Sequence, residues 1–286
     1  MVSVLLRTAG GTLLYVAFLW LVQIDDWRVA GMMLTFPMLN GMALVSAREN
    51  AGATGQSMVP VVTLNGTMCF LFTLVLAWSE TARAHPLALT LLATALWLCV
   101  YAWLETRNMI VPTRMWTLFS ALCVIVSVAL TYWLWPACAE AVRSAPVRAG
   151  GMAGVLESWM RIALFAISLL IVFVVAHFYR DAYAAIGRLG ALPIVPLFGL
   201  YTVASVLASD AAAIPKLDLM RSMVLVGWMI ALLFAVLFAA YVARTSDPKS
   251  VTGKHLAVLV LGWGLCVGAI VASARVVPAL AGCPVV

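Results

Sequence analysis

Residues 115–135 read MWTLFSALCVIVSVALTYWLW, 21 consecutive positions without a charged side chain. A helix needs about 20 mostly apolar residues to cross the hydrocarbon core of a bilayer, so this run predicts a membrane span. It stands between two sets of four similar runs. Whether it crosses therefore decides how the two sets are oriented.

Working outward, charged or turn-rich breaks divide the chain into nine such runs, at 4–23, 28–47, 58–78, 86–105, 114–136, 157–178, 185–208, 219–243 and 255–280. The breaks are short. The longest, 136–156, holds Glu140, Arg143, Pro146, Arg148 and the pair Gly150-Gly151, and reads as a linker between two halves. Three parts follow: a first four-helix unit at 1–107, a connecting span with its linker at 108–156, and a second four-helix unit at 157–286. No soluble domain fits between them. The expected fold is an all-α integral membrane protein of about nine spans arranged 4+1+4.

Composition agrees with that reading. Of 286 residues, 65% are hydrophobic and 10% charged, with a mean hydropathy of +1.09; soluble chains carry about 45–50% apolar and about 25% charged residues. These figures exclude a soluble enzyme, a nucleic-acid-binding domain and a disordered chain. The pI of about 9.2 then belongs to basic loops that flank the membrane. The six cysteines show no CxxC or Cys/His ligand spacing, and four lie inside apolar runs, where cysteine serves as a small packing residue. Cys138 and Cys283 fall just past spans that end on the side opposite the N-terminus, leaving a disulfide open there if that side is periplasmic. The first run passes into Gln23-Ile24-Asp25-Asp26 without a small-residue cleavage site, so it is expected to remain as a helix.

Orientation rests on Lys and Arg in the loops. Nine basic residues fall on the N-terminal side and the remaining eight, Arg221 among them, on the other. The first four spans alone split four (Arg7, Arg48, Arg107, Arg114) against two (Arg28, Arg83), which favours a cytoplasmic N-terminus in a bacterial inner membrane.

The two halves match in order. Arg7 pairs with Arg161, Gly31 and Pro37 with Gly190 and Pro196, Ser57-Met58-Val59 with Ser222-Met223-Val224, and Leu98-Cys99-Val100 with Leu265-Cys266-Val267, at offsets of 154, 159, 165 and 167. Four matches in register argue for duplication. With one span between them, the second unit enters the membrane from the opposite side, and inverted repeats of this kind are the usual architecture of secondary transporters.

The stretch Trp27-Arg28-Val29-Ala30-Gly31-Met32-Met33-Leu34-Thr35-Phe36-Pro37, followed by a helix ending Ser46-Ala47-Arg48-Glu49, resembles the GlpM family of small bacterial inner-membrane proteins. Those are single four-helix units with Ala-Gly and then Phe-Pro in the second helix. The resemblance covers 1–107 well and 157–280 weakly, where Val195-Pro196 replaces Phe-Pro and Pro193 is added. It implies that a single unit pairs with an inverted copy of itself, and that this chain carries both copies fused. A second copy of the whole chain is a permitted partner. The family has no firmly assigned substrate.

Candidate site residues follow from what lipid tolerates. Pro37 falls near the middle of the second span, and Pro193 and Pro196 near the middle of the seventh; each removes a backbone donor, and freed polar backbone is tolerated at membrane depth only against protein or a water-filled cavity. Kinking of packed helices is the bland alternative. Around these breaks, Thr35, Asn40, Asn65, Tyr201, Thr63, Thr67, Thr202 and Ser205 offer polar ligands, against the alternative of ordinary interhelical hydrogen bonds worth about 1 kcal/mol or less each. Arg7 and Arg161 begin the first and sixth spans at matched positions, where they hold an anion between them or snorkel to the interface. No carboxylate falls mid-span, and the histidines His85, His177 and His255 fall at span ends, against a conventional proton-coupled pump. No enzyme motif, cofactor site or metal-ligand set is expected. The expected function is a small secondary transporter or exporter for a lipid-like, weakly polar or small anionic solute, with the second and seventh spans lining its path. The alternative is a non-transporting scaffold or subunit of an envelope polysaccharide or lipid-processing complex.

Overall fold

A computed structural model describes residues 2–23, 30, 31, 34, 51–107, 109, 116, 118, 119, 121–123, 125, 126, 159–178, 188, 192–209, 217, 220, 221, 224, 225, 227–232, 237, 241, 261, 265 and 268. Almost all of these are helical and none is in a strand. Six helices are continuous: α1 Val2–Gln23, α2 Ala51–Trp78, α3 Glu80–Ala84, α4 Pro86–Thr106, α5 Trp159–Phe178 and α6 Ile194–Ser209. Two of them, α2 over Gly52–Trp78 and α4 over its whole length, are long and apolar enough to cross a membrane. That fits a membrane-embedded chain.

The boundaries follow local chemistry. Helix α2 begins at Ala51, seven residues before the predicted span, because the small and polar residues 51–57 continue the helix, with Thr54, Gly55 and Ser57 buried. It runs through Pro60, which lacks the N–H that would have bonded the Gln56 carbonyl. At its far end Arg83 reaches back to donate to the carbonyls of Leu76 (2.7 Å) and Ala77 (3.0 Å), satisfying acceptors that have no partner within the helix. Ser79 caps α3 by accepting from Ala82 N–H at 3.1 Å, and α4 opens with Pro86 at a position that needs no donor. His85 sits exposed at that junction.

Helix α1 packs along α5, and α6 touches every other continuous helix. The core between these three is aromatic. Tyr15 stacks on Phe165 with centroids 4.4 Å apart, and Phe198 meets both rings edge-on at 5.9 and 5.4 Å. Between helices in an apolar solvent, such close packing replaces the hydrophobic effect as the source of association, and each aromatic pair adds about 0.5–1.5 kcal/mol. Glycines allow the tightest approaches. A Cβ on Gly31 would collide with the Met220 carbonyl, and one on Gly66 with the Trp228 indole. By contrast α4 is mostly exposed, presenting Leu87, Leu91, Leu92, Leu96 and Trp103 outward. Trp116 packs against Val59 and Leu104, which sets the start of the 114–136 run against α2 and α4.

Candidate functional site

The seventh predicted span is interrupted. Arg188 is helical, Leu192 is not, Pro193 occupies a turn, and α6 starts at Ile194. The prolines expected near the middle of one helix therefore mark the start of another. Ile194 N–H donates to the Leu192 carbonyl at 2.9 Å across a three-residue turn, and Leu197 N–H donates to the Pro193 carbonyl at 2.8 Å as the first bond of α6. A helix start leaves four N–H groups without intrahelical partners. Here Pro193 and Pro196 have no N–H and Ile194 is already bonded, so only the Val195 donor is left to satisfy. This chemistry lets a helix begin where Pro193, Val195 and Pro196 are all buried.

One turn and more into α6, polar groups from three helices converge. The Arg161 guanidinium, near the start of α5, lies over the Tyr201 ring with its carbon 5.0 Å from the centroid. Tyr15, from the middle of α1, is within electrostatic reach of both. Its hydroxyl lies 3.1 Å from Thr202 Oγ1, and Thr202 in turn donates to the Phe198 carbonyl at 2.9 Å. Since the Thr202 proton is committed to that carbonyl, Tyr15 is the donor to Thr202. The hydroxyl chain ends on the Phe198 carbonyl. Arg161 makes no hydrogen bond or ion pair among the described residues.

The other candidates are spread differently. Asn65 lies half-buried on α2, next to the Gly66 that underlies Trp228. Thr63 and Thr67 donate to the Val59 and Thr63 carbonyls, and Ser205 to that of Tyr201, so these hydroxyl protons are turned back onto their own helices. Arg7 lies on α1, with its side chain outside the described set; Thr35, Pro37 and Asn40 also fall outside the described residues, as do Cys138, Cys283, His255 and the whole linker at 136–156. The structure thus joins Arg161 to Tyr201, and adds Tyr15, which sequence reasoning had not singled out. A tyrosine within the apolar stretch 13–22 of the first run was the available signal.

No protein-family model, characterised protein or solved structure matches this chain. Its site is read from its own geometry.

Two further polar features stand apart. Arg188, just before the break, donates to the Glu105 carboxylate at the end of α4 and reaches the Tyr101 hydroxyl. Both charged side chains are partly exposed, which limits the pair to about 1 kcal/mol or less. Arg221, assigned by loop counting to the solvated side, is instead completely buried beside the Met220 backbone that meets Gly31. The count missed it because Arg221 is the third residue of the 219–243 run, close enough to its end to be counted with the flanking charges. Among the described residues no group of His, Cys, Asp and Glu has the make-up of a metal site.

Proposed function

We propose that the chain is a small secondary transporter or exporter of a bacterial inner membrane, with the interrupted seventh span at the centre of its path. The observation that carries this reading is the break at Leu192 and Pro193, which opens α6, the helix that touches every other continuous helix. Irregular backbone at that depth needs protein or a water-lined cavity around it, and helices broken in mid-membrane are where transporters of this architecture bind their substrates.

The inverted repeat belongs to the same proposal. Three contacts support it: α1 packs on α5, Leu34 meets Gly199, and Gly66 meets Trp228. Under the repeat these join the first span to the sixth, the second to the seventh and the third to the eighth, as a two-fold axis through the middle of the bundle requires. The resemblance to the GlpM family, which implies a unit paired with an inverted copy of itself, is in keeping with the same arrangement.

A second reading has its own observation. The hydroxyls of Thr63, Thr67, Thr202 and Ser205 are satisfied internally, and the glycine contacts are closed, as a scaffold for an envelope polysaccharide or lipid-processing complex would require. Accessibility separates the two. Single cysteines at Leu192, Pro193 and Tyr201, in a background without the native six, should react with a membrane-impermeant thiol reagent from each side in turn if the chain transports. Protection from both sides, with loop positions labelling normally, would leave the scaffold.

A further inference from the structure

We infer that Arg161 binds a monoanion carried on an apolar body, in the wedge between α1, α5 and α6; this rests on the transport reading for its purpose but not for its chemistry. Arginine presents a planar fork of donors that suits a carboxylate or phosphodiester edge-on. Tyr201 covers one face of that plane, which holds the guanidinium in place while leaving its N–H edge uncommitted. The neighbouring hydroxyls do not compete for it as a counter-ion. Tyr15 and Thr202 are neutral, with their protons committed to Thr202 and to the Phe198 carbonyl in turn, and no carboxylate pairs with Arg161 among the described residues.

The size and charge of the ligand follow. A half-buried cation in a low-dielectric bundle is neutralised best by one negative charge, so a monocarboxylate or a phosphodiester suits it and a dianion overcompensates. The surroundings are apolar: Phe165 and Phe198 stand beside Tyr15, and α5 turns Trp159, Met160 and Leu164 outward next to Arg161. An anion arriving with an aromatic or acyl body therefore meets exposed apolar side chains of α5 close to Arg161 in the chain. Free carboxylates and anionic lipids share this chemistry.

Benzoate is the test probe. The full chain in nanodiscs of phosphatidylcholine, which is zwitterionic, should show a saturable rise in melting midpoint with benzoate and none with benzamide, its neutral analogue. Inorganic phosphate should act far more weakly. Arg161→Gln should weaken the benzoate midpoint about tenfold or more, the loss of one charge-assisted pair, and Arg161→Lys, which keeps the charge without the fork, should fall between. Arg107→Gln, which removes an equal charge from the exposed end of α4, should leave benzoate binding as it was. In nanodiscs containing phosphatidylglycerol, a weakened benzoate response that Arg161→Gln abolishes would identify a lipid as the natural ligand, whereas an unchanged response would identify a free carboxylate. If Arg161→Gln melts normally without ligand and binds benzoate as the wild type does, or if benzamide acts as well as benzoate, the proposal is wrong. A wild type that binds no benzoate overturns it equally. Benzoate binding through Arg161 in a protein that shows no access from alternate sides would keep the anion site and remove transport.

Discussion

A methyl group at Gly31 has nowhere to go, because the atom it would strike is the Met220 carbonyl oxygen, held by backbone. At Gly268 the same methyl meets nothing within 4 Å. The two alanine substitutions should therefore move stability in opposite directions. Gly31→Ala forces two helices apart and is expected to cost about 1–3 kcal/mol, the usual range for overpacking. Gly268→Ala should be neutral or raise stability by about 0.5–1 kcal/mol through helix propensity. Thermal unfolding of the purified protein in one detergent measures both, and equal effects would contradict the close approach at Gly31. At this scale the sequence was partly legible. Gly31 stood out through its match to Gly190, and Arg161 through its match to Arg7. Tyr15 and Arg221 did not, because a single polar residue declares its role only through neighbours far along the chain: Thr202 lies 187 positions from Tyr15.

Among the elements, α6 turns on what its two prolines do. If Pro196 kinked the interior of one long helix, alanine would repair a missing bond and stabilise the protein, since proline costs about 3 kcal/mol in a helix interior. In the structure Pro196 is the third residue of α6, where no intrahelical acceptor exists. Alanine there adds a buried N–H with no carbonyl to reach. Pro196→Ala is thus expected to destabilise by about 1–3 kcal/mol, the cost of a buried unsatisfied donor, and the sign of the change in melting midpoint decides between the two arrangements. Proline placement was visible in the sequence, and the break with it. Its register was not, because Pro193 and Pro196 read equally well as a kink until the Leu192 and Pro193 carbonyls show which bonds are made. The same ambiguity hid the start of α2, since the residues 51–57 lack the apolar density of a span yet continue the helix.

For the whole molecule, the proposed duplication makes a geometric demand that any single contact can test. The offset of 165 that relates Ser57 to Ser222 carries Gly66 onto Ala231 and Trp228 onto Thr63. A two-fold axis that sets Gly66 against Trp228 must therefore also set Thr63 against Ala231, and both of these are buried. The demand concerns the backbone more than the side chains, because the halves have diverged where the polar cluster lies: Leu169 and Ala43 match Tyr15 and Thr202. Arg7 keeps the charge that matches Arg161 while the hydroxyls are not repeated, so under the proposed repeat an exchange of conformations between halves would set the two arginines in unlike surroundings rather than in two equivalent sites. Cysteines at Thr63 and Ala231, in a chain without the native six, should be joined by a short bifunctional thiol reagent in intact membranes, with Glu105 and Arg188 as the pair already in contact for calibration. Joining at the calibration pair without joining at Thr63 and Ala231 would break the two-fold relation. The odd number of spans in a 4+1+4 chain would then have to be argued from the 115–135 run alone.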